Sequence, residues 1–191
     1  MSLSIASRRY VEGFAFLIAF ALCVPVANWM LSHVGWGCSP DSPCVIPVAP
    51  GLMAPSAVLM AGLALILRDL VQRRLGVWWS VAAIVVGGVL SWWVAPPALV
   101  YASVAAFMFS ELADLIIYTP LQRRRLVLAV VASGVVGLFV DTMIFLYLAF
   151  GSLDFMWGQI VGKGWMVLLA IPAITWLRRR DEAIGMLPAG A

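Results

Sequence analysis

Charge is what this chain has least of. Only 11% of its 191 residues are Asp, Glu, Lys or Arg, 64% are hydrophobic, and the mean hydropathy is +1.04. A soluble domain carries about 25% charged residues, so a water-facing globule is excluded and the bilayer is the expected solvent. The chain also lacks the equipment of most enzymes. It has one histidine, His33, and three cysteines, with no His/Cys set at metal-ligand spacing, no phosphate loop after a strand and no nucleophile elbow. No basic run exceeds three residues, so the net charge of +3 is no nucleic-acid patch. A cleavable leader is not expected, because the apolar run from Val11 to Leu31 is too long for one and no small-residue site closes it. With no long soluble linker, repeat or low-complexity tract, residues 1–191 read as a single domain. Neither catalysis nor a cofactor is expected.

Six apolar stretches are present, near 11–33, 52–72, 77–95, 98–119, 126–150 and 155–177, with an outer loop over 34–51. Each is long enough to cross a hydrocarbon core of about 30 Å, which takes about 20 helical residues. The expected fold is an all-α integral membrane protein, one bundle of six transmembrane helices. Arginine placement orients it. Arg8 and Arg9 precede the first stretch, and Arg68, Arg73 and Arg74 end the second. Arg123 to Arg125 lie between the fourth and fifth, and Arg178 to Arg180 follow the sixth. All eleven fall on one side of a six-pass arrangement, and the opposite loops carry only Asp41 and Asp154. The arginine side is then cytoplasmic, with both termini inside, in a bacterial cytoplasmic membrane. Tryptophans near segment ends, such as Trp29, Trp78, Trp93 and Trp176, suit the membrane interface. Trp165 lies further in and is left between packing and stacking.

Two loop features stand out. Cys38 and Cys44 bracket a short outer-loop segment and form either a disulfide or two unpaired thiols; Cys23 reads as a small apolar core residue. Pro43 to Pro55 is apolar yet rich in proline, which breaks the helical hydrogen-bond ladder. Non-helical backbone at membrane depth needs cover from protein or a wet cavity. This run is therefore expected to be a re-entrant, lid-like segment shaping a binding site, the rival being an ordinary surface loop.

Four ionisable side chains sit deep in apolar stretches: Glu111, Asp114, Asp141 and Lys163. Glu111 and Asp114, three apart, share a helix face. Counting helical rise from the flanking arginines puts Glu111 roughly 18 Å, Asp141 roughly 24 Å and Lys163 roughly 22 Å into the protein. Gln159 precedes Lys163 by one turn; Ser110, Thr142 and Asn28 add neutral polar groups. Salt bridges such as Lys163 with Asp141 or Glu111 account for part of the set. Three acids facing one base leave a carboxylate protonated, solvated or waiting for a ligand that donates hydrogen bonds. A midplane cluster of this kind fits a transporter site. The stretch Gly158 to Gly164 has glycines like a phosphate loop but sits in an apolar helix, where they would permit close approach.

Several stretches resemble the queuosine precursor transporter family, also called the vitamin uptake transporter family. They are Cys44-Val45-Ile46-Pro47-Val48, Met53-Ala54-Pro55-Ser56, Leu67 to Gln72, Ser110-Glu111-Leu112-Ala113-Asp114, Asp141-Thr142, and Gly158-Gln159 with Gly162-Lys163. Thr142 departs from an expected serine but keeps the hydroxyl. The resemblance implies an inner-membrane importer of 7-cyano-7-deazaguanine or 7-aminomethyl-7-deazaguanine, with a fold similar to the substrate-binding subunits of energy-coupling-factor importers. Carboxylates could pair with the adjacent N–H donors of a guanine edge. The expected substrate-binding residues are Glu111, Asp114, Asp141, Gln159, Lys163, Ser110 and Asn28, with Phe107, Phe109 or Trp165 stacking on the base. The alternative is a binding subunit for another purine-like or vitamin substrate, docked through Arg68-Asp69 and Arg123 to Arg125 to an ATP-driven partner. A membrane enzyme or scaffold with structural acids is a third reading. Energy coupling stays open, as does a homo-oligomer, since Gly87-Gly88 and Gly134/Gly137 could serve contacts within or between protomers.

Overall fold

The structure, a computed structural model, describes residues 4–39 and 42–189; Asp41 of the outer loop lies outside them. Six α-helices run α1 (Ile5–His33), α2 (Val58–Leu75), α3 (Val77–Val94), α4 (Val100–Leu121), α5 (Leu126–Phe150) and α6 (Met156–Ile184). Between α1 and α2 lie two short strands, β1 (Val45–Ala49) and β2 (Leu52–Pro55). The fold is thus mostly helical but not purely α. Five helices are long and apolar enough to cross a membrane. The exception is α2, whose Arg68, Asp69, Arg73 and Arg74 lower its hydropathy. Those charges are nevertheless buried, because α2 packs against all five other helices. The outside of the bundle is apolar instead, with Ile18, Trp93, Ile116, Tyr147 and Leu169 all exposed. Charge inside and hydrocarbon outside is the reverse of a soluble domain.

The proline-rich segment is non-helical and folds as a β-hairpin, and α2 starts at Val58, not near 52. β1 and β2 pair antiparallel through a turn at Gly51, whose φ of 73° suits glycine. A register shift between Pro47 and Ala49 accommodates proline, which lacks an N–H to donate. The hairpin is tied at several points. Cys44 is disulfide-bonded to Cys38 and donates its N–H to Leu31 O at 2.8 Å. The Ser56 hydroxyl donates to Met30 O at 2.6 Å, and the Trp165 indole N–H donates to Val48 O at 2.9 Å.

Glycines on α6 receive the hairpin. A Cβ at Gly158 would collide with the Met53 carbonyl oxygen, and one at Gly162 would meet Val58 and Val48. They admit hairpin backbone and the start of α2 more than a neighbouring helix. The tight helix crossing is at Gly62 on α2, where a Cβ would lie 3.0 Å from Lys163 Cα. Gly87 and Gly88 accept Phe107 and Met108, Gly134 accepts Val167, and Gly137 accepts Leu65. All four admit side chains of this same chain.

Candidate functional site

α2 carries the most heavily buried charge. Arg68 is fully enclosed, and its Nε donates to Glu111 Oε2 at 3.2 Å. Its Nη2 lies 2.7 Å from Asp114 Oδ1 and 3.1 Å from Asp69 Oδ1. Those two are close ion pairs that lack hydrogen-bond alignment. Nη1 donates to Gln72 Oε1 at 3.1 Å, and Gln72 passes a hydrogen bond to Thr119. Ser133 on α5 donates to Asp69 Oδ2 at 3.1 Å.

Glu111 and Asp114, expected to bind substrate, lie around this guanidinium and do not line the cavity described next. Ser110 is off the cavity too, its hydroxyl donating to Phe107 O. Arg68 was counted as a cytoplasmic end charge, but it is an interior residue, as its place before the 72 boundary of its own apolar stretch allowed. Arg68-Asp69 is likewise buried and presents nothing to a docking partner.

Toward the hairpin end, all six helices and β2 surround one cavity. It leaves about 100 Å³ for water centres, several times the ~10–15 Å³ that one buried water needs. Its polar wall comprises Asn28, Ser91, Ser103, Asp141, Gln159 and Lys163, and its apolar wall includes Phe107 and Phe145. Lys163 organises the polar side. Its ammonium lies 2.5 Å from Asp141 Oδ2 and donates to Gln159 Oε1 at 2.5 Å and to Thr142 Oγ1 at 2.9 Å. Of the three N–H donors of an ammonium, two are bound to Gln159 and Thr142, and Asp141 meets the nitrogen as a close ion pair.

Its partners face the cavity with what remains. Asp141, 18% exposed at its side chain, pairs with Lys163 through Oδ2 and makes no hydrogen bond or ion pair at Oδ1 among the described residues. Gln159 has its carbonyl occupied, which turns its amide N–H donors outward. Asn28 donates to Val24 O at 2.9 Å, which leaves its side-chain carbonyl. The wall thus presents acceptors at Asp141 and Asn28 and a donor at Gln159. Of the expected stacking rings, only Phe107 lines the cavity; Phe109 is 59% exposed and Trp165 is the hairpin clasp. Phe145 was missed, since nothing in the sequence separates it from other apolar residues of its stretch.

The cavity and the Arg68 cluster are one helix turn apart. Ala64, Phe107 and Cys23 line the cavity, and Arg68 and Glu111 follow Ala64 and Phe107 by four residues. Beyond the cluster, at the far end from the hairpin, Arg74 binds Asp181 through two nitrogens at 2.8 Å and Glu12 at 2.9 Å. Arg73 adds a contact to Asp181 and Arg180 one to Glu12, so α1, α2 and α6 are laced together.

An apolar exterior, buried ion pairs and several apolar helices long enough to cross a bilayer are the marks of a multi-pass membrane protein. A family model described as "Putative vitamin uptake transporter" matches residues 57–177. The chain belongs to the vitamin uptake transporter family, a family of transporters. Searches of curated proteins and of solved structures each found no match.

Proposed function

We propose that this transporter imports queuosine precursors, 7-cyano-7-deazaguanine and 7-aminomethyl-7-deazaguanine, across a bacterial cytoplasmic membrane. The observation that carries the reading is the free oxygen of Asp141 beside the outward amide of Gln159, on the wall of a cavity that Phe107 and Phe145 also line. A 7-deazaguanine edge carries a ring N–H, an exocyclic amine and a ring carbonyl. Asp141 accepts from the N–H, Asn28 accepts from the amine, and Gln159 donates to the carbonyl. Phe107 stacks on the bicyclic ring. Lys163 holds the first and last of these groups without touching the substrate. Glu111, Asp114 and Ser110 act one turn behind.

All six helices span in this proposal, α2 with its charges shielded by the other five. Both termini are cytoplasmic, because Arg8, Arg123 to Arg125 and Arg179 form an exposed basic rim at one end. The fold is similar to energy-coupling-factor substrate-binding subunits. The family description favours the alternative in one respect, since it names vitamins.

Purified protein tested by thermal shift against purines, deazapurines and vitamins separates the two readings, because a ligand of the native state raises the melting temperature. Stabilisation by 7-deazaguanines, lost in Asp141→Asn, is expected. Stabilisation by a vitamin alone would overturn the substrate assignment.

A further inference from the structure

The Arg68 cluster holds more negative charge than its single cation can neutralise. Asp69, Glu111 and Asp114 surround it, all at most 1% exposed, so the fully ionised set would carry three negative charges against one positive. Uncompensated ions in such an interior cost several kcal/mol each, and neighbouring carboxylates do not both ionise readily. Geometry narrows where a proton belongs. Asp114 and Asp69 converge on one nitrogen of Arg68, Nη2, at 2.7 and 3.1 Å, and two carboxyls gathered on one cation are relieved when one of them is protonated. Asp114 Oδ2 and the Tyr118 hydroxyl are enclosed and without a protein hydrogen-bond donor or acceptor. A metal ion fits less well: among the described residues, no three His, Cys, Asp or Glu side chains converge as ligands.

We propose that Arg68, Asp69, Glu111 and Asp114 form a proton-binding centre in which the Asp69–Asp114 pair takes up and releases one proton, coupling import to the proton gradient. The titratable groups around the pair are Arg68 on α2 and Glu111 and Tyr118 on α4; Cys23 on α1, Asp141 on α5 and Lys163 on α6 line the cavity one turn away. Ser133 on α5 completes the shell, and α3 has no titratable residue. The pair is sealed from both ends in this conformation, by the apolar floor of the cavity on one side and the Glu12–Arg74–Asp181 lacing on the other. Proton exchange therefore requires α2, α4 and α5 to separate, which links protonation to the movement that exposes the substrate cavity. One proton binds a carboxylate oxygen on the outer side and leaves to cytoplasmic water, with no other bond made or broken.

The coupling half rests on the substrate reading above; the proton half does not, and the test separates them. Infrared titration of purified wild-type protein is expected to show a carboxylic-acid C=O stretch that disappears as pH rises. The band is expected to be lost in Asp114→Asn, with Asp69→Asn as the second variant should that one not fold. A wild-type protein with no such band, or with one that never titrates, overturns the proton centre. In proteoliposomes, an inward proton gradient is expected to raise uptake of 7-cyano-7-deazaguanine, and Asp114→Asn to remove that response. Uptake indifferent to the gradient, or driven by sodium instead, overturns the coupling. A titrating band with no 7-deazaguanine uptake leaves the proton centre standing and removes the substrate reading.

Discussion

Lys163 shows how one side chain sets the chemistry of a wall it does not itself offer. By occupying one oxygen of Asp141 and the carbonyl of Gln159, it fixes which atom of each faces the cavity. Asp141→Asn reverses that polarity, since the amide would give its carbonyl to Lys163 and turn N–H donors toward a donor-bearing ligand. An unsatisfied buried polar group costs about 1–3 kcal/mol, so affinity is expected to fall about 5- to 150-fold, read by calorimetry or equilibrium binding. Phe107→Ala is expected to lose about 1–3 kcal/mol of stacking. Phe109→Ala, which changes an exposed ring, leaves affinity as it was; equal losses in both would contradict the assignment. Arg68→Met strands three buried carboxylates, and breaking such a pairing costs about 3–5 kcal/mol. Its unfolding midpoint should drop sharply, with part of the loss recovered when Asp114→Asn is added.

At the scale of elements, the hairpin and α6 act as a unit. Gly158→Leu would push Met53 off α6, and Trp165→Phe removes the N–H that holds Val48. Both are expected to weaken substrate binding, Trp165→Phe by about 1 kcal/mol for one hydrogen bond. The Cys38–Cys44 disulfide closes a short loop, worth about 2 kcal/mol by chain entropy. A reductant should therefore lower the melting temperature of the wild type and leave Cys38→Ser unchanged. The helices of this fold were legible because apolar length is a strong signal, and α4, α5 and α6 begin within a residue or two of where hydropathy puts them. The hairpin was not, because β1 and β2 are held by Leu31, Met30 and Trp165, partners far away in sequence. α2 was mistaken at its inner end for a related reason. Arg68 looks like Arg73 and Arg74 in sequence, and only the acids of α4 separate its role from a topology signal.

The molecule as a whole is ordered along its axis: hairpin, cavity, acid cluster, then the Glu12–Arg74–Asp181 lacing. The sequence carried the buried acids and Lys163 as an excess of charge, but it did not divide them into two levels. That division depends on Arg68 and on the one-turn offsets from Ala64 and Phe107, which appear only when α2 and α4 are packed together. Of the expected set, it leaves Asp141, Gln159, Lys163 and Asn28 at the cavity and Glu111, Asp114 and Ser110 off it. The most direct test is uptake of radiolabelled 7-cyano-7-deazaguanine by proteoliposomes containing only this chain, wild type beside Asp141→Asn. Saturable uptake in the wild type, lost in the variant while that variant stays folded, is the expected result. No uptake by the wild type, or wild-type uptake by Asp141→Asn, would contradict the assignment of this cavity as the substrate site.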